Sequence, residues 1–384
     1  MKEHVPFVDL LEASGYYTGF TGKGVDPFQY ARNDQDTLWR KGNAAGHPFN
    51  KHKYEKNISS DLRTAKGIGL TNYYENFRSF MQQRKDGQPF YFWYGATEPH
   101  RVYEKGSWKR NGKSLDQVDV PGFLPDSEEV RGDMLDYAVE IEWADSHLSK
   151  MLEYLDSIGE LNNTIVIVTA DNGMPFPRAK ANCFEYGVHV PFAVSYPKGF
   201  PGKRRVDDPI SFVDIAPTIL EIAGVKPDGM LPISGRSFMN ILKSKKEGIV
   251  DQSKKYVYMG RERHSSSRWQ NLGYPQRAVR NQDYLLIWNL RPERWPAGAP
   301  QMLNKKTGEL CPMYGIGEDG TFHPDWAFTD VDDAPSKTFL IENHKDPVIR
   351  PYFDLAFNKR PEFELYCIGN DPFCLDNLIG KKDY

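Results

Sequence analysis

The chain has 384 residues, a length that fits one large domain or two ordinary ones. Hydrophobic residues make up 39% of it and charged residues 26%, a globular balance that excludes a disordered polypeptide. The formal charge of -3 excludes a generally basic surface, and no run reaches the roughly 18 apolar residues of a membrane span. We therefore expect neither nucleic acid nor a membrane as a partner.

Helices and strands alternate along the first part of the chain. The predicted elements, in order, are a helix ending at Gly15, a strand at 16–21, a loop at 32–66, a helix at 72–84, a strand at 90–96, a long helix at 128–157, strands at 164–170 and 191–196, and a short strand with a helix at 210–224. The runs 90–96 and 164–170 are continuously apolar, which is typical of strands buried on both faces. This alternation predicts an α/β fold, with a mostly parallel sheet sandwiched by helices.

The pattern changes after a lysine-rich segment at 243–255. Short alternating strands follow at 256–259, 276–280 and 284–289, and a closing segment lies at 363–378. We therefore predict an α/β domain over residues 1–250 and a smaller, β-rich α+β subdomain over residues 251–384.

Polar residues follow three of the predicted strands. Lys23 follows the first, His100 follows the strand at 90–96, and Asp171 with Asn172 follows the strand at 164–170. Ligands of open α/β sheets bind beyond the carboxyl ends of the strands. The sequence therefore predicts that these three segments meet at one edge of the sheet.

The chemistry of these residues suits an anionic substrate. Asp171 and Asn172 offer hard oxygen ligands for Ca²⁺ or Mg²⁺, although an Asx turn at the strand end explains them equally well. His100 offers a group that exchanges a proton near neutral pH, although a lone histidine is more often structural. With Lys23 and Lys180 it would form a cationic pocket for a sulfate or phosphate group, while the alternative for each lysine is a solvated surface charge.

The cysteines do not define a metal or redox site. Cys367 and Cys374 flank a short turn, so a local disulfide is open to them, whereas Cys183 and Cys311 stand alone. The chain has no CxxC pair, and no GxSxG, GxxxxGK[ST] or HExxH motif marks a nucleophile or a zinc site.

Six segments in order resemble motifs of the sulfatases of the alkaline-phosphatase superfamily. They are LLxxAGYxTGxxGK at 10–23, a buried strand ending in Pro-His at 90–101, TSDNG at 169–173, EGGxRVPF at 185–192, VDLxPTxL at 213–220 and ELYDLxxDPxExxNL at 364–378. The MPFP run at 174–177 and Arg101 are most similar to the heparan N-sulfatases, a subfamily that removes sulfate from the amino group of glucosamine.

The resemblance implies an alkaline-phosphatase-like fold and a role for each matching residue. Lys23 and His100 would be catalytic, Lys180 and Arg101 would bind substrate, and Asp171 and Asn172 would bind Ca²⁺, with Mg²⁺ the weaker candidate. The implied substrate is a sulfated glycan or a glucosamine N-sulfate, and the implied nucleophile is a formylglycine made in a C/S-x-P-x-R motif.

Two departures from the family pattern matter. No cysteine or serine of this chain lies in C/S-x-P-x-R, and the family's first Asp pair has no counterpart. We therefore expect roughly 80 to 100 residues of a full-length form to be missing, the formylglycine to lie there, and this chain alone to be inactive. Val25 replaces a histidine that many sulfatases carry two residues after the lysine.

Other interpretations stay open at this point. A phosphodiesterase or phosphonate hydrolase of the same superfamily would share these motifs, and so would a catalytically inactive protein that binds sulfated glycans. The resemblance implies a secreted, periplasmic or lysosomal full-length protein, although this chain carries no signal peptide. A homodimer also stays open.

Overall fold

The computed structural model describes residues 4–25, 42–55, 64–264, 272–298, 327–382 and 384. The helices are α1 (Phe7–Ala13), α2 (Tyr73–Gln83), α3 (Ser107–Arg110), α4 (Glu128–Ser157), α5 (Glu185–Val188), α6 (Ile215–Ala223), α7 (Met239–Lys243), α8 (Pro335–Glu342) and α9 (Arg350–Phe357). The strands are β1 (Tyr17–Gly22), β2 (His47–Pro48), β3 (Phe90–Gly95), β4 (Val166–Thr169), β5 (Phe192–Ser195), β6 (Val257–Arg261), β7 (Gln276–Arg280), β8 (Tyr284–Asn289) and β9 (Phe363–Cys367).

The chain divides into two compact units. The first comprises Met1–Pro99, Glu140–Val166 and Ser195–Ser253, and the second comprises His100–Val139, Ile167–Val194 and Lys254–Tyr384. The predicted domains 1–250 and 251–384 are continuous in sequence, whereas these units interleave, so that division stays a prediction. Among the described helices, none combines the length and the apolar character of a membrane span.

The first unit contains a parallel sheet in the order β2-β1-β3. β1 pairs with β3 from Tyr17 opposite Phe90 to Gly22 opposite Gly95, so both strands end at the same level. The predicted strands at 16–21 and 90–96 are confirmed, but Trp93 in β3 is 38% exposed, so the prediction that the run 90–96 is buried on both faces is wrong. β2 lies within the segment predicted as loop, because two residues are too few to show an alternating pattern.

Aromatic side chains form the core of the first unit. Asn72 caps the start of α2, since its side chain accepts a hydrogen bond from the amide of Glu75 (3.1 Å). One face of α2 buries Phe80, which stacks on Tyr17 with ring centroids 4.7 Å apart, and Phe77 packs against the same cluster. Truncating such a phenylalanine to alanine costs about 3–5 kcal/mol, so this cluster fixes α2 against the sheet.

A predicted short strand near residue 210 is wrong. Phe212–Asp214 is instead a 3₁₀ turn that leads directly into α6. A reciprocal capping box causes it, because the amide of Ser211 donates to Asp214 (2.8 Å) while the Ser211 side chain caps the turn. The apolar residues of this segment therefore lie in a turn and do not pair as a strand.

The second unit contains an antiparallel sheet in the order β6-β7-β8-β9. This confirms the predicted strands of the C-terminal segment. The inner face of the sheet buries Leu285, Ile287 and Tyr366, and α8 and α9 contribute to a second cluster centred on Phe357. The predicted α+β character of this segment is therefore confirmed.

β4 and β5 form a separate two-stranded sheet among the described residues. Val168 in β4 is 41% exposed, so the prediction that this strand is buried on both faces is wrong. A two-stranded sheet lacks flanking strands and leaves part of its apolar surface uncovered, which accounts for the difference.

Candidate functional site

Lys23 follows β1 directly and its backbone is fixed by β3. The Lys23 amide donates to the carbonyl of Gly95 (2.6 Å), and the Trp93 indole nitrogen donates to the carbonyl of Lys23 (3.0 Å). A Cβ atom at Gly95 would collide with that Lys23 carbonyl, so glycine is required there. Lys23 is exposed and lies just beyond the end of β1.

A buried network holds the segment that follows β3. Glu98, which is 6% exposed, accepts hydrogen bonds from the Tyr73 hydroxyl (2.7 Å) and from the amide of Gly69 (2.8 Å). The same hydroxyl accepts from the amide of Thr97 (3.0 Å). Burial, and then the negative charge of Glu98, raise the pKa of Tyr73, so it stays a neutral donor. Sequence reasoning missed this pair, since nothing local links residues 25 positions apart.

His100 is exposed, and its ring is oriented by the main chain. Its Nδ1 atom lies 2.7 Å from the carbonyl oxygen of Arg101. A carbonyl oxygen only accepts, so Nδ1 carries a proton in this arrangement. Nε2 is therefore a proton acceptor in the neutral ring and a donor in the imidazolium.

Arg101 lies inside the second unit, where it is 9% exposed. Its guanidinium forms two hydrogen bonds with the carboxylate of Asp133 (2.7 and 2.9 Å), and its Nε donates to the carbonyl of Pro175 (2.8 Å). The Ser336 hydroxyl also donates to Asp133 (2.7 Å). The structure thus ties Arg101 to the segment that follows Asp171, and its predicted contact with substrate stays a prediction.

The segment after β4 carries Asp171, Asn172 and Gly173. The Asn172 side-chain nitrogen donates to the carbonyl of Gly173 (2.8 Å), and among the described residues nothing donates to its Oδ1. The Gly173 amide donates to the carbonyl of Gly187 (3.0 Å), and a Cβ at position 173 would collide with the Tyr186 carbonyl. The glycine therefore permits the close turn.

Lys180 lies further along the same segment and is paired. Its ammonium donates to Asp332 (2.7 Å), and the side chains are 13% and 23% exposed. Arg178 and Ala181 flank it with φ of 70° and 62°, in the left-handed region that non-glycine residues seldom occupy. Such strain concentrates at functional segments. Asp332 lies 152 residues away, so the sequence offered no signal for it.

Glu185, next to the same segment, is a structural anchor. It is 6% exposed and accepts two hydrogen bonds from Arg280 of β7 (2.5 and 3.0 Å) and one from His189 (3.1 Å). Burial alone would raise the pKa of Glu185, but the hydrogen bonds from His189 and Arg280 outweigh it and lower that pKa. This ion pair secures α5 to the C-terminal sheet.

The donor types at Asp171 and Asn172 suit Ca²⁺, which takes six to eight oxygen ligands. Within the described parts of the chain, however, no three His, Cys, Asp or Glu side chains cluster as a metal site would require. These two side chains alone do not make up such a ligand set, so calcium binding at Asp171 and Asn172 stays a prediction.

Lys23 belongs to the first compact unit, whereas His100, Arg101, Asp171, Asn172 and Lys180 belong to the second. Within the second unit, Asp171, Asn172 and Lys180 share the segment after β4, and Arg101 binds that segment at Pro175. The predicted meeting of all three strand ends at one edge stays a prediction. Cys183, Cys367 and Cys374 are free thiols, so the disulfide left open for the last two is absent, and Cys311 lies outside the described residues.

Comparison with known families gives two matches. Residues 1–225 match the model described as Sulfatase, and residues 179–296 match the model described as N-sulphoglucosamine sulphohydrolase, C-terminal. The first match alone covers more than half of the chain.

Curated relatives include an ulvan-active sulfatase of Formosa agariphila, 26% identical over 342 residues, which cover 79% of this chain and 50% of the relative. Another is human N-sulphoglucosamine sulphohydrolase, 27% identical over 314 residues, which cover 73% of this chain and 56% of the relative. The chain thus spans about half the length of these relatives.

Solved structures share the fold. One was solved in complex with its substrate D-glucosamine-2-N,6-O-disulfate and has a TM-score of 0.56 at 18% identity, covering 98% of this chain and 78% of that chain. Another, a 2-O GAG sulfatase, has a TM-score of 0.52 at 17% identity, covering 98% and 70%. They confirm the predicted α/β, alkaline-phosphatase-like fold.

Proposed function

This chain belongs to the sulfatase family, as its motifs predicted, and from that premise we propose that its protein hydrolyses sulfate esters or N-sulfate groups of glycans, with glucosamine N-sulfate as the leading substrate. The observation that carries the proposal is the segment 171–180, where Asp171, Asn172 and Lys180 follow one strand end. The match of residues 179–296 to the C-terminal part of N-sulphoglucosamine sulphohydrolase supports the choice of an N-sulfated sugar.

The roles proposed for the side chains follow from their donors. The Lys180 ammonium has three N–H donors, and the described residues use one of them, for Asp332. Two donors remain for sulfate oxygens, whose negative charge grows as the S–O or S–N bond breaks. The exposed Lys23 would supply a second positive charge.

His100 is proposed to donate a proton to the leaving group. Because Nδ1 is held by the Arg101 carbonyl, only Nε2 is available to substrate. An imidazolium at His100 would donate from Nε2 to the departing oxygen or nitrogen, a role worth about 10²–10⁴ in rate. Arg101 would act by holding His100 and the segment at Pro175 in fixed positions relative to each other.

Ca²⁺ is proposed as the cofactor, with Asp171 and Asn172 among its ligands. When bound, it would offset the charge of the sulfate group. The family's formylglycine has no C/S-x-P-x-R sequence in these 384 residues to carry it, so we assign it no step.

The test is sulfate release from N-sulfoglucosamine by the product of the complete gene. Lys23→Ala and His100→Ala should lower turnover by at least about 10² without unfolding the protein, while the exposed Lys105→Ala serves as the matched control. Near-normal turnover in either variant would remove that residue from the mechanism. Binding of the sulfated sugar without any turnover would favour a glycan-binding protein instead.

The proposed metal site has its own readout. Asp171→Ala should lose bound calcium, measured by elemental analysis of the purified protein, because a carboxylate is the strongest ligand in the pair. Unchanged calcium content would contradict the assignment, whatever the activity.

A further inference from the structure

A cleft of about 600 Å³ lies in the second unit, beside α9 and β9. Its lining includes Arg178, Asp354, Lys359, Arg360, Glu364 and Tyr366. None of these residues has a role in the proposed hydrolysis, so the cleft needs its own explanation.

Two buried guanidinium groups distinguish this cleft. Arg178 and Arg360 are 4% and 7% exposed, and both lie against the ring of Phe184, at 4.1 and 4.6 Å from its centroid. Among the described residues, no carboxylate lies within ion-pair distance of either arginine. Buried arginines are ordinarily paired with an acid, so this arrangement is unusual.

Much of the hydrogen-bonding capacity of the two arginines is unused. Arg178 donates to the carbonyls of Leu355 (2.8 Å) and Cys374, and Arg360 donates to the side-chain oxygen of Asn182 (2.9 Å). The Nε atoms of both arginines have no partner among the described residues. Each guanidinium has five N–H donors, so most of the donors of this pair have no partner among the described residues.

The local charge balance is positive. Glu364 is buried nearby, and its two oxygens accept from Asn289 (2.7 Å) and Tyr366 (2.7 Å) rather than from an arginine. Burial, and then the charge of Arg360, lower the pKa of Arg178, although an arginine stays protonated in a protein. The lining also holds Lys359 and Asp354, and that carboxylate accepts from Arg350 (2.7 Å) rather than from Arg178 or Arg360. Three cationic side chains therefore line the cleft against two carboxylates, and an anion would restore neutrality.

We propose that this cleft binds an oxyanion, a sulfate or carboxylate group, between Arg178 and Arg360. The planar fork of a guanidinium matches such a group in geometry as well as in charge. In the working enzyme, this oxyanion belongs to a sugar unit other than the one being hydrolysed, an assignment that rests on the proposed function. Arg178 precedes Lys180, the proposed sulfate-binding residue, by two positions, and two residues span at most roughly 7 Å of chain. The cleft and the proposed catalytic site are therefore close enough for one glycan to reach both.

Calorimetric titration with inorganic sulfate tests the site directly. Arg360→Met should weaken sulfate binding by at least about tenfold, equivalent to 1.4 kcal/mol, and Arg360→Lys should weaken it less because the charge remains. Arg205→Met removes a guanidinium whose side chain is 90% exposed and should leave binding unchanged. Wild-type affinity in both Arg360 variants would overturn the proposal.

Lys180→Met separates this site from the proposed catalytic site. That variant should keep the sulfate-binding event that Arg360→Met loses, and complete loss of sulfate binding in Lys180→Met would overturn a separate site. If Arg360→Met does not fold, the titration of the charge-conserving Arg360→Lys still decides, because its affinity should fall measurably.

Turnover of two substrates tests the link to glycans. Arg360→Met should raise KM for a sulfated disaccharide several-fold and leave KM for N-sulfoglucosamine unchanged. Equal effects on both substrates would overturn the assignment to a second sugar unit. Absence of turnover on any sulfated sugar would remove the proposed function, while the sulfate titration would still decide whether the oxyanion site exists.

Discussion

The buried pair of Arg101 and Asp133 allows a quantitative test. Both side chains are almost inaccessible, at 3% and 1% exposure, and they share two hydrogen bonds of 2.7 and 2.9 Å. Asp133 also accepts from the hydroxyl and the amide of Ser336. Asp133→Asn preserves the shape of this side chain but removes its negative charge and turns an amide nitrogen toward donors.

The expected cost follows from this geometry. The Arg101 guanidinium would keep its charge inside the second unit while losing the carboxylate that balances it. Removing one partner of a buried ion pair costs about 3–5 kcal/mol. Total folding free energies are commonly about 5–15 kcal/mol, so Asp133→Asn should remove a large share of the stability.

Urea unfolding followed by tryptophan fluorescence measures this loss as a shift of the midpoint multiplied by the slope. Asp126→Asn is the matched control, because Asp126 also pairs with an arginine, Arg131, but is 61% exposed. Its midpoint should stay close to that of the wild type. A loss below about 1 kcal/mol in Asp133→Asn, or equal shifts in the two variants, would refute the reasoning.

Three further outcomes are expected. Tyr73→Phe should lose about 1–3 kcal/mol in the same urea experiment, because its hydroxyl bridges buried groups, and no loss would contradict the network. Burial lowers the pKa of His147 from 6.5 to about 4, so stability should fall as pH falls through that window, when the unfolded chain takes up the proton. His147→Asn should flatten that dependence, and an unchanged pH profile would contradict the assignment. Burial raises the pKa of the Cys183 thiol to about 11 and that of Cys374 to about 12. Iodoacetamide should therefore modify Cys367 before either of them, as mass spectrometry would show, and early labelling of the buried thiols would contradict the packing.

The sequence predicted the positions of the candidate residues better than their surroundings. Lys23 and Asp171 were identified because each follows a strand-like run, and strands are marked by local patterns. The family resemblance assigned Arg101 to substrate, which stays a prediction, but no local pattern indicated its ion pair with Asp133. Pattern reasoning sees only neighbours along the chain, and this partner lies 32 residues away.

Local signals alone therefore determined the family motifs, the α/β alternation and the C-terminal strands of this protein. Helical and strand periods, glycine turns and capping residues act over a few positions, so they can be read without the fold. Tertiary structure decided which charges are compensated: it gave Lys180 the carboxylate of Asp332 and left Arg178 and Arg360 without one among the described residues. The reason is physical, because the energy of a charge depends on burial and on partners brought together from distant parts of the chain.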